Sequence, residues 1–324
     1  MQYRRFGKTD WLVSEIAFGA WQIGGDWGKV DDRESIVTLL YAFDNGINFV
    51  DTAELYGRGH SEEVIGQALR QWTGEKIYVA TKAQPILWPD PDDNDPAMRG
   101  RYPDWYLRDQ VDKSLKRLGV DRIDLFQLHC WLKDGLHALD WLETLNDLRQ
   151  QGKIEHVGVS IRDFRPDEGV ELARFGLVDS IQVVFNLFEQ RPAGALFKAG
   201  AKTGTGFIAR VPLDSGSLTG SWTKDTYASW QPGSVPHTMF RDGRFAETLS
   251  RVEKLKSVCA PHYPTLAEAA MRYVLSAGEL STLIPGMKTR TEVDMNVAYS
   301  DGAAFPRELS EAVADHGWIR NFYK

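Results

Sequence analysis

The sequence predicts an α/β fold, a single (β/α)8 barrel filling residues 1–324. Two patterns and one absence lead there. Short β-rich runs alternate with helix-length segments along nearly the whole chain, which implies βαβ units. Eight such runs occur, and several are almost continuously apolar, as parallel strands covered on both faces must be. The glycine fingerprint of a doubly wound sheet is absent from its proper place. The nearest match, Gly204, Gly206 and Ala209 in "GTGFIA", runs into a strand instead of leading from a strand into a helix.

In order, the strand candidates are "SEIAFG" (14–19), "INFVDTA" (47–53), "KIYVATK" (76–82), "DLFQLH" (124–129), "HVGVS" (156–160), "SIQVVF" (180–185), "GFIAR" (206–210) and "STLIPG" (281–286). Between them apolar residues recur near every 3.6 positions, at Ile36, Leu39, Leu40 and Phe43 and again at Leu107, Val111, Leu115 and Leu118. Asp104 is placed to cap the start of the second helix and Gly119 to end it. The Pro- and Asp-rich "PILWPDPDDNDPAMRGRYP" (85–103) reads as a long loop after the third strand, and loops of that length are uncommon unless functional. No linker or low-complexity segment divides the chain.

The balance of charge narrows the partners. A formal net charge of −7, with no long basic run, argues against a nucleic-acid footprint. The opening "MQYRRFGKTDWLVSEIAFGAW" lacks the apolar core of a secretory signal, and no apolar run approaches the roughly 18 residues of a membrane span. Two cysteines, Cys130 and Cys259, supply neither a disulfide framework nor paired metal-ligand spacing. The expectation is a cytoplasmic protein with a small-molecule substrate and no metal; the oligomeric state is not legible.

In such a barrel chemistry belongs at the C-terminal ends of the strands. Those ends carry Asp51 on the second run, Lys82 on the third and His129 on the fourth, with Tyr56 on the loop after the second. Each alone reads as readily as a turn, a solvated charge or a packed ring. Together they converge on one mouth. A phenol titrates near pH ~10, too high for efficient proton transfer near neutrality, and a neighbouring ammonium lowers that value. A carboxylate beside the lysine keeps the lysine charged. Asp51, Lys82 and Tyr56 therefore form an acid/base relay, with His129 able to hold a carbonyl oxygen through a ring N–H. Cys130 should point to the other side of the strand.

The segments "DTAELYG", "VATK" and "DLFQLH", in that order, resemble the signature segments of the aldo-keto reductase family. The likeness runs from "RRFGKTDWLVSEIAFGAWQIGG" to "IPGMKTRTEVDMNVA" and is closest to the bacterial branch with "GxWxxGG…WG" after the first strand. It implies an N-terminal β-hairpin (about 2–14) capping the barrel from below, extra C-terminal helices, and NADP(H) lying extended across the mouth. In the tetrad it implies, Asp51, Tyr56, Lys82 and His129, the tyrosine is the proton donor. It also implies cofactor contacts. Trp21 and Asp51 belong to the motifs already quoted, and Ser160 and Gln182 match positions that hold the nicotinamide carboxamide. "IARVPLDSGSLTG" matches a segment that stacks on nicotinamide and wraps the pyrophosphate, with Arg210, Pro212, Leu213, Ser215 and Leu218. Gly286, Lys288, Thr289 and Arg290 of "GMKTR" match the site of a 2′-phosphate, with Glu292 and Asn296 near adenine. Two positions depart from the family pattern: Ile161 replaces a common asparagine, and Arg210 replaces an aromatic residue. The plain reading of Lys288 and Arg290 is a solvated helix start, but cations there oppose the helix dipole, which favours a bound anion.

Trp27, Trp88 and Trp131 fall on loops at the catalytic end and, with His129, are candidates for the substrate wall, suiting a sugar-like or aromatic carbonyl. Two other readings stay open: a Schiff-base lyase using Lys82 as nucleophile, and a cofactor-binding regulatory subunit.

Overall fold

In the computed structural model, which describes residues 1–28 and 30–320, the chain opens with an antiparallel hairpin of β1 (Tyr3–Arg5) and β2 (Leu12–Ser14), pairing Tyr3 with Ser14. Eight parallel strands follow: β3 (Phe18–Gly19), β4 (Phe49–Asp51), β5 (Tyr78–Ala83), β6 (Ile123–Trp131), β7 (Ile154–Ile161), β8 (Ser180–Val184), β9 (Gly206–Arg210) and β10 (Leu280–Ile284). Each pairs with its neighbours in sequence order. The sheet closes on itself through parallel bridges Ile16–Leu283 and Gly19–Gly286, with Ala17 N donating to Leu283 O at 2.8 Å and Gly19 N to Pro285 O at 2.9 Å. All eight expected runs are strands of one barrel.

The crossovers carry α1 (Asp32–Asp44), α2 (His60–Gln71), α3 (Asp104–Leu118), α4 (Asp140–Gln150), α5 (Val170–Phe175) and α6 (Ala195–Thr203). After β9 come two short helices, α7 (Thr226–Ser229) and α8 (Val235–Met239), then α9 (Arg244–Cys259) and α10 (Leu266–Leu275); α11 (Arg290–Ala298) and α12 (Arg307–Ala314) follow β10. The apolar stripes do what their spacing requires: Ile36, Leu39 and Phe43 of α1 and Leu107, Val111 and Leu118 of α3 are buried in the core between strands and helices. α3 ends at Gly119, whose φ of 68° is the left-handed conformation that glycine adopts without strain. Its start differs from expectation. Pro103 is the capping residue and Asp104 the first helical one, its carboxylate accepting from Arg108 and Thr144 instead of from backbone N–H groups. Residues 85–103 contain neither helix nor strand.

The hairpin plugs the N-terminal end of the barrel. Phe6, Trp11 and Val13 pack against inward-facing Ala17, Phe49, Ala80, Leu125, Ile208 and Ile284. Trp11 stacks on Tyr78 at 4.5 Å between ring centroids and meets His156 edge-on at 4.6 Å. Arg4 ties the hairpin to the segment entering β10, donating to the carbonyls of Leu275 (2.6 Å), Ala277 (3.0 Å) and Leu280 (3.3 Å).

Candidate active site

The apolar plug residues locate the chemistry by register. Side chains alternate along a strand, so the residue two beyond an inward one is also inward, about 6–7 Å nearer the C-terminal mouth. Two beyond Phe49 is Asp51, two beyond Ala80 is Lys82, two beyond Leu125 is Gln127 and then His129, and two beyond Ile208 is Arg210. Ser160 and Gln182 sit opposite each other in the pairing of β7 with β8. Cys130 lies on the outer side of β6, in the core beneath the helices, and burial pushes its thiol up to about 12.

Lys82 is the node. Its ammonium has three N–H donors, and three acceptors stand around Nζ: Asp51 Oδ1 at 2.6 Å, Thr52 O at 2.7 Å and Tyr56 Oη at 3.3 Å. Burial alone pulls its pKa down, but Asp51 and Tyr56 outweigh it and hold the amine above its ordinary value. Asp51 Oδ2 accepts from Gln182 Nε2 at 2.8 Å and from Gln127 Nε2 at 3.3 Å. Gln182, expected to hold a carboxamide, thus already steadies the carboxylate, and Gln127 joins it from the neighbouring strand.

Tyr56 is set over this node by a close backbone contact. It opens the 3-10 turn Tyr56–Gly59, and Gly24 of "IGG" lies directly against it. A Cβ on Gly57 would come within 2.3 Å of Gly24 O, and one on Gly24 within 2.6 Å of Gly57 N. Neither position can carry a side chain without moving the phenol. Trp21 stacks on the Tyr56 ring at 5.9 Å. The expectation that Lys82 lowers the phenol's pKa needs correction in its net sign: burial raises it, and the lysine's charge offsets only part of that.

His129 meets Tyr56 edge-on at 5.8 Å and Trp88 at 6.0 Å. Burial, then the charges of Lys82 and Arg210, push its pKa well below the usual imidazole value, so the ring is neutral at physiological pH. Its Nδ1 is buried without a hydrogen-bond partner. Arg210 reaches past β8 to the end of β7, donating to Ile161 O at 2.9 Å and pairing with Asp163. The two departures noted in the sequence are therefore in contact.

The substrate wall is smaller than expected. Trp88 is exposed on the 85–103 loop, and Trp27 lies edge-on to Trp21 at 5.0 Å. Trp131 is not on a loop: it ends β6, wholly buried against Trp141, its indole N–H given to Glu168 O at 3.0 Å. β6 runs on through Cys130 and Trp131, past the histidine at which the strand was expected to stop.

Around the expected cofactor groove, three non-glycine residues adopt left-handed backbone, Val211 (φ 57°), Asp214 (φ 49°) and Ser215 (φ 55°); such strain gathers at ligand-holding turns. Pro212 and Leu213 lie within this turn, and Leu218 is withdrawn into the main core. Asp214 is paired with Arg320 of the C-terminal segment. At α11, Thr289 and Glu292 form a capping box, Glu292 accepting from Lys288 N (2.5 Å) and Thr289 N (3.1 Å). Glu292 is thus committed to the helix start, and Asn296 is buried beneath it. Arg290 is exposed over the Tyr41 ring at 5.6 Å, and Lys288 Nζ lies 3.4 Å from Trp27 O. A nicotinamide nucleotide fits these residues: buried Gln127 Oε1, His129 Nδ1 and Trp27 Nε1 lack hydrogen-bond partners, and a strained turn and a cationic helix start flank the same mouth. Among the described residues no cluster of three or more His, Cys, Asp or Glu side chains is placed to hold a metal ion, and no helix is long and apolar enough to cross a membrane.

Residues 15–315 match the model of the Aldo/keto reductase family. This chain is an aldo-keto reductase. It is 30% identical to the NADH-specific methylglyoxal reductase of Escherichia coli over 95% of this chain and 98% of that protein. It is 28% identical to the D-threo-aldose 1-dehydrogenase of a Pseudomonas species, over 93% and 94%. The solved glycerol dehydrogenase of Gluconobacter oxydans superposes with a TM-score of 0.79 at 29% identity, covering 97% of this chain and 94% of that one. The chain is thus an oxidoreductase of a family that works with nicotinamide cofactors.

Sequence reasoning missed several residues that line this candidate site. Glu54, buried, accepts from Gln84 N at 3.0 Å, and Gln84 Oε1 receives the Trp88 indole N–H at 3.2 Å, which fixes Trp88 beside His129. Alternation along β6 would have marked Gln127, two residues before His129; nothing local marks Gln84 or Asp163.

Proposed function

We propose that this protein reduces an aldehyde or ketone to the alcohol by hydride transfer from NADPH, with Tyr56 as general acid. The observation that carries the reading is the threefold satisfaction of Lys82 Nζ by Asp51, Thr52 O and Tyr56. A Schiff-base lysine must be neutral to attack, and it is activated by a lowered pKa; Lys82 is pushed the other way. A complete proton-transfer set likewise has no use in a subunit that only binds cofactor.

The nicotinamide nucleotide, when bound, supplies the hydride to the carbonyl carbon. Tyr56 Oη gives its proton to the carbonyl oxygen, so one hydride and one proton complete the alcohol. A phenol raised by burial is protonated at neutral pH and is a ready donor. Lys82 then stabilises the phenolate at 3.3 Å, while Asp51, steadied by Gln182 and Gln127, keeps the lysine charged. Neutral His129 offers one ring N–H to the same oxygen. Trp27 and Trp88 at the mouth suit a sugar-like or aromatic carbonyl, and the small polyol, aldose and oxoaldehyde names among the relatives agree with that class.

Preference for NADPH rests on Lys288 and Arg290 at the start of α11. Charge-assisted contacts of ~1.5–3 kcal/mol each correspond to roughly tenfold or more per residue. Fluorescence titration should show tighter NADPH than NADH binding. The Lys288→Ala/Arg290→Ala double variant should weaken NADPH about 100-fold and NADH hardly at all. Equal wild-type affinities, or the tighter NADH binding that the name of the NADH-specific Escherichia coli relative invites, would discard the cofactor preference and leave the reductase reading to a turnover assay on an aldehyde panel.

A further inference from the structure

The guanidinium of Arg210 occupies an unusual place. It is the mouth-most inward residue of β9, two beyond Ile208 of the plug, and its strand pairing sets it level with Ile284 and Val184. From there its side chain runs along the rim past β8 to Ile161 O and Asp163 at the end of β7. The proton donor and its lysine stand on β5 and on the loop after β4. In the eight-strand order, β5 lies diametrically opposite β9. The mouth therefore has a proton-transfer wall and a cationic wall. A ring that passes a hydride to a carbonyl held by Tyr56 and His129 has to lie between them, with Arg210 bordering it on the side away from the tetrad.

That ring changes charge during the reaction. A nicotinamide is neutral when reduced and carries a positive charge when oxidised. We propose that Arg210 makes this site discriminate between the two redox states of its cofactor, binding the reduced form more tightly and so favouring carbonyl reduction over alcohol oxidation. The inference rests on the hydride-transfer reading given above. A fixed cation beside the ring repels the oxidised form and leaves the reduced form untouched. Asp163, paired with the guanidinium, limits the effect. The charge of Arg210 is felt by both Tyr56 and His129, whereas Asp163 is not among the leading influences on either.

The test is the ratio of dissociation constants for NADP⁺ and NADPH, read by quenching of protein fluorescence with no substrate present. Contacts that do not depend on ring charge cancel in this ratio. Wild type should bind NADPH more tightly. Arg210→Met should reduce the ratio about tenfold, equivalent to ~1.4 kcal/mol, mainly through tighter NADP⁺. Arg210→Lys, which keeps the charge, should preserve most of it. Asp163→Asn, which removes the screening carboxylate, should enlarge it. An unchanged ratio in Arg210→Met with both forms still bound, or equal weakening of both, overturns the inference and leaves the reductase reading standing. Failure of wild type to bind any of NADP⁺, NADPH, NAD⁺ or NADH overturns both; if only NAD⁺ and NADH bind, the same ratio is read with that pair.

Discussion

The two ends of the barrel interior are built from the same strands and contrast sharply. At the N-terminal end the inward residues are Phe49, Ala80, Leu125 and Ile208, closed over by Phe6, Trp11 and Val13. One inward step along the same strands gives Asp51, Lys82, Gln127 and Arg210. The lower layer is stabilised by apolar burial and aromatic contact, with Phe6 and Phe49 stacked at 5.5 Å. The upper layer buries a carboxylate and an ammonium, an arrangement that desolvation makes weak as a source of stability. It is tolerable because every donor of Lys82 is used. The barrel thus separates two environments along one axis: the plugged end stabilises, and the polar end gathers the groups to which the proposed reaction is given.

That separation can be broken from either side. The largest effect belongs to the upper layer. Tyr56→Phe keeps the ring that stacks on Trp21 but removes the proton, and losing a positioned general acid costs ~10²–10⁴-fold in kcat. Thermal unfolding should barely move. Retention of most wild-type turnover would falsify the role given to Tyr56. The complementary variant is Trp11→Ala in the plug. Truncating a nearly buried tryptophan typically costs ~3–5 kcal/mol, visible as a lower denaturant midpoint, whereas the pH profile of turnover at 25 °C should keep its shape. A shifted profile would show that the two layers are coupled.

The smallest effect sharpens the comparison by pH. The folded state holds the pKa of His129 well below its unfolded value near ~6.5. As pH falls through that value the unfolded chain takes up the proton first. Stability is therefore full above about pH 6.5 and declines below it, by at most ~1.4 kcal/mol per pH unit for one proton. His129→Asn should flatten this acid-side slope by that amount in denaturant titrations at successive pH values. An identical slope in the variant would locate the acid sensitivity elsewhere.

Much of this was legible in the sequence. Eight strands and their ends followed from apolar runs, and the alternation that puts Phe49 and Asp51 on one side is local, so the tetrad could be assembled on paper. What escaped depends on depth and on distant partners. "CWL" after His129 reads as the beginning of a loop, yet Trp131 continues the strand because its indole finds Glu168 O, a partner far along the chain. The net pKa direction of Tyr56 required knowing how deeply the ring is buried, which no motif records. Asp104 has the residue type of a cap, but Pro103 takes that position and frees the carboxylate for Arg108. The pairing of Arg210 with Asp163 joins two strand ends across β8, a relation visible only once the barrel has closed.

The seam of the barrel constrains how the protein can be made. β3, the first strand of the cylinder, finds its second neighbour only in β10, through Ile16–Leu283 and Gly19–Gly286. Arg4 clasps carbonyls of the same late segment. A nascent chain therefore carries an unpaired edge from its earliest residues until almost the whole polypeptide has left the ribosome, and contacts of such sequence separation form slowly. Translation that stops after β9 yields a product with two open strand edges, a template for association with other chains. It is the last strand, separated from the strand of Asp51 only by β3, that decides whether the first one is ever protected.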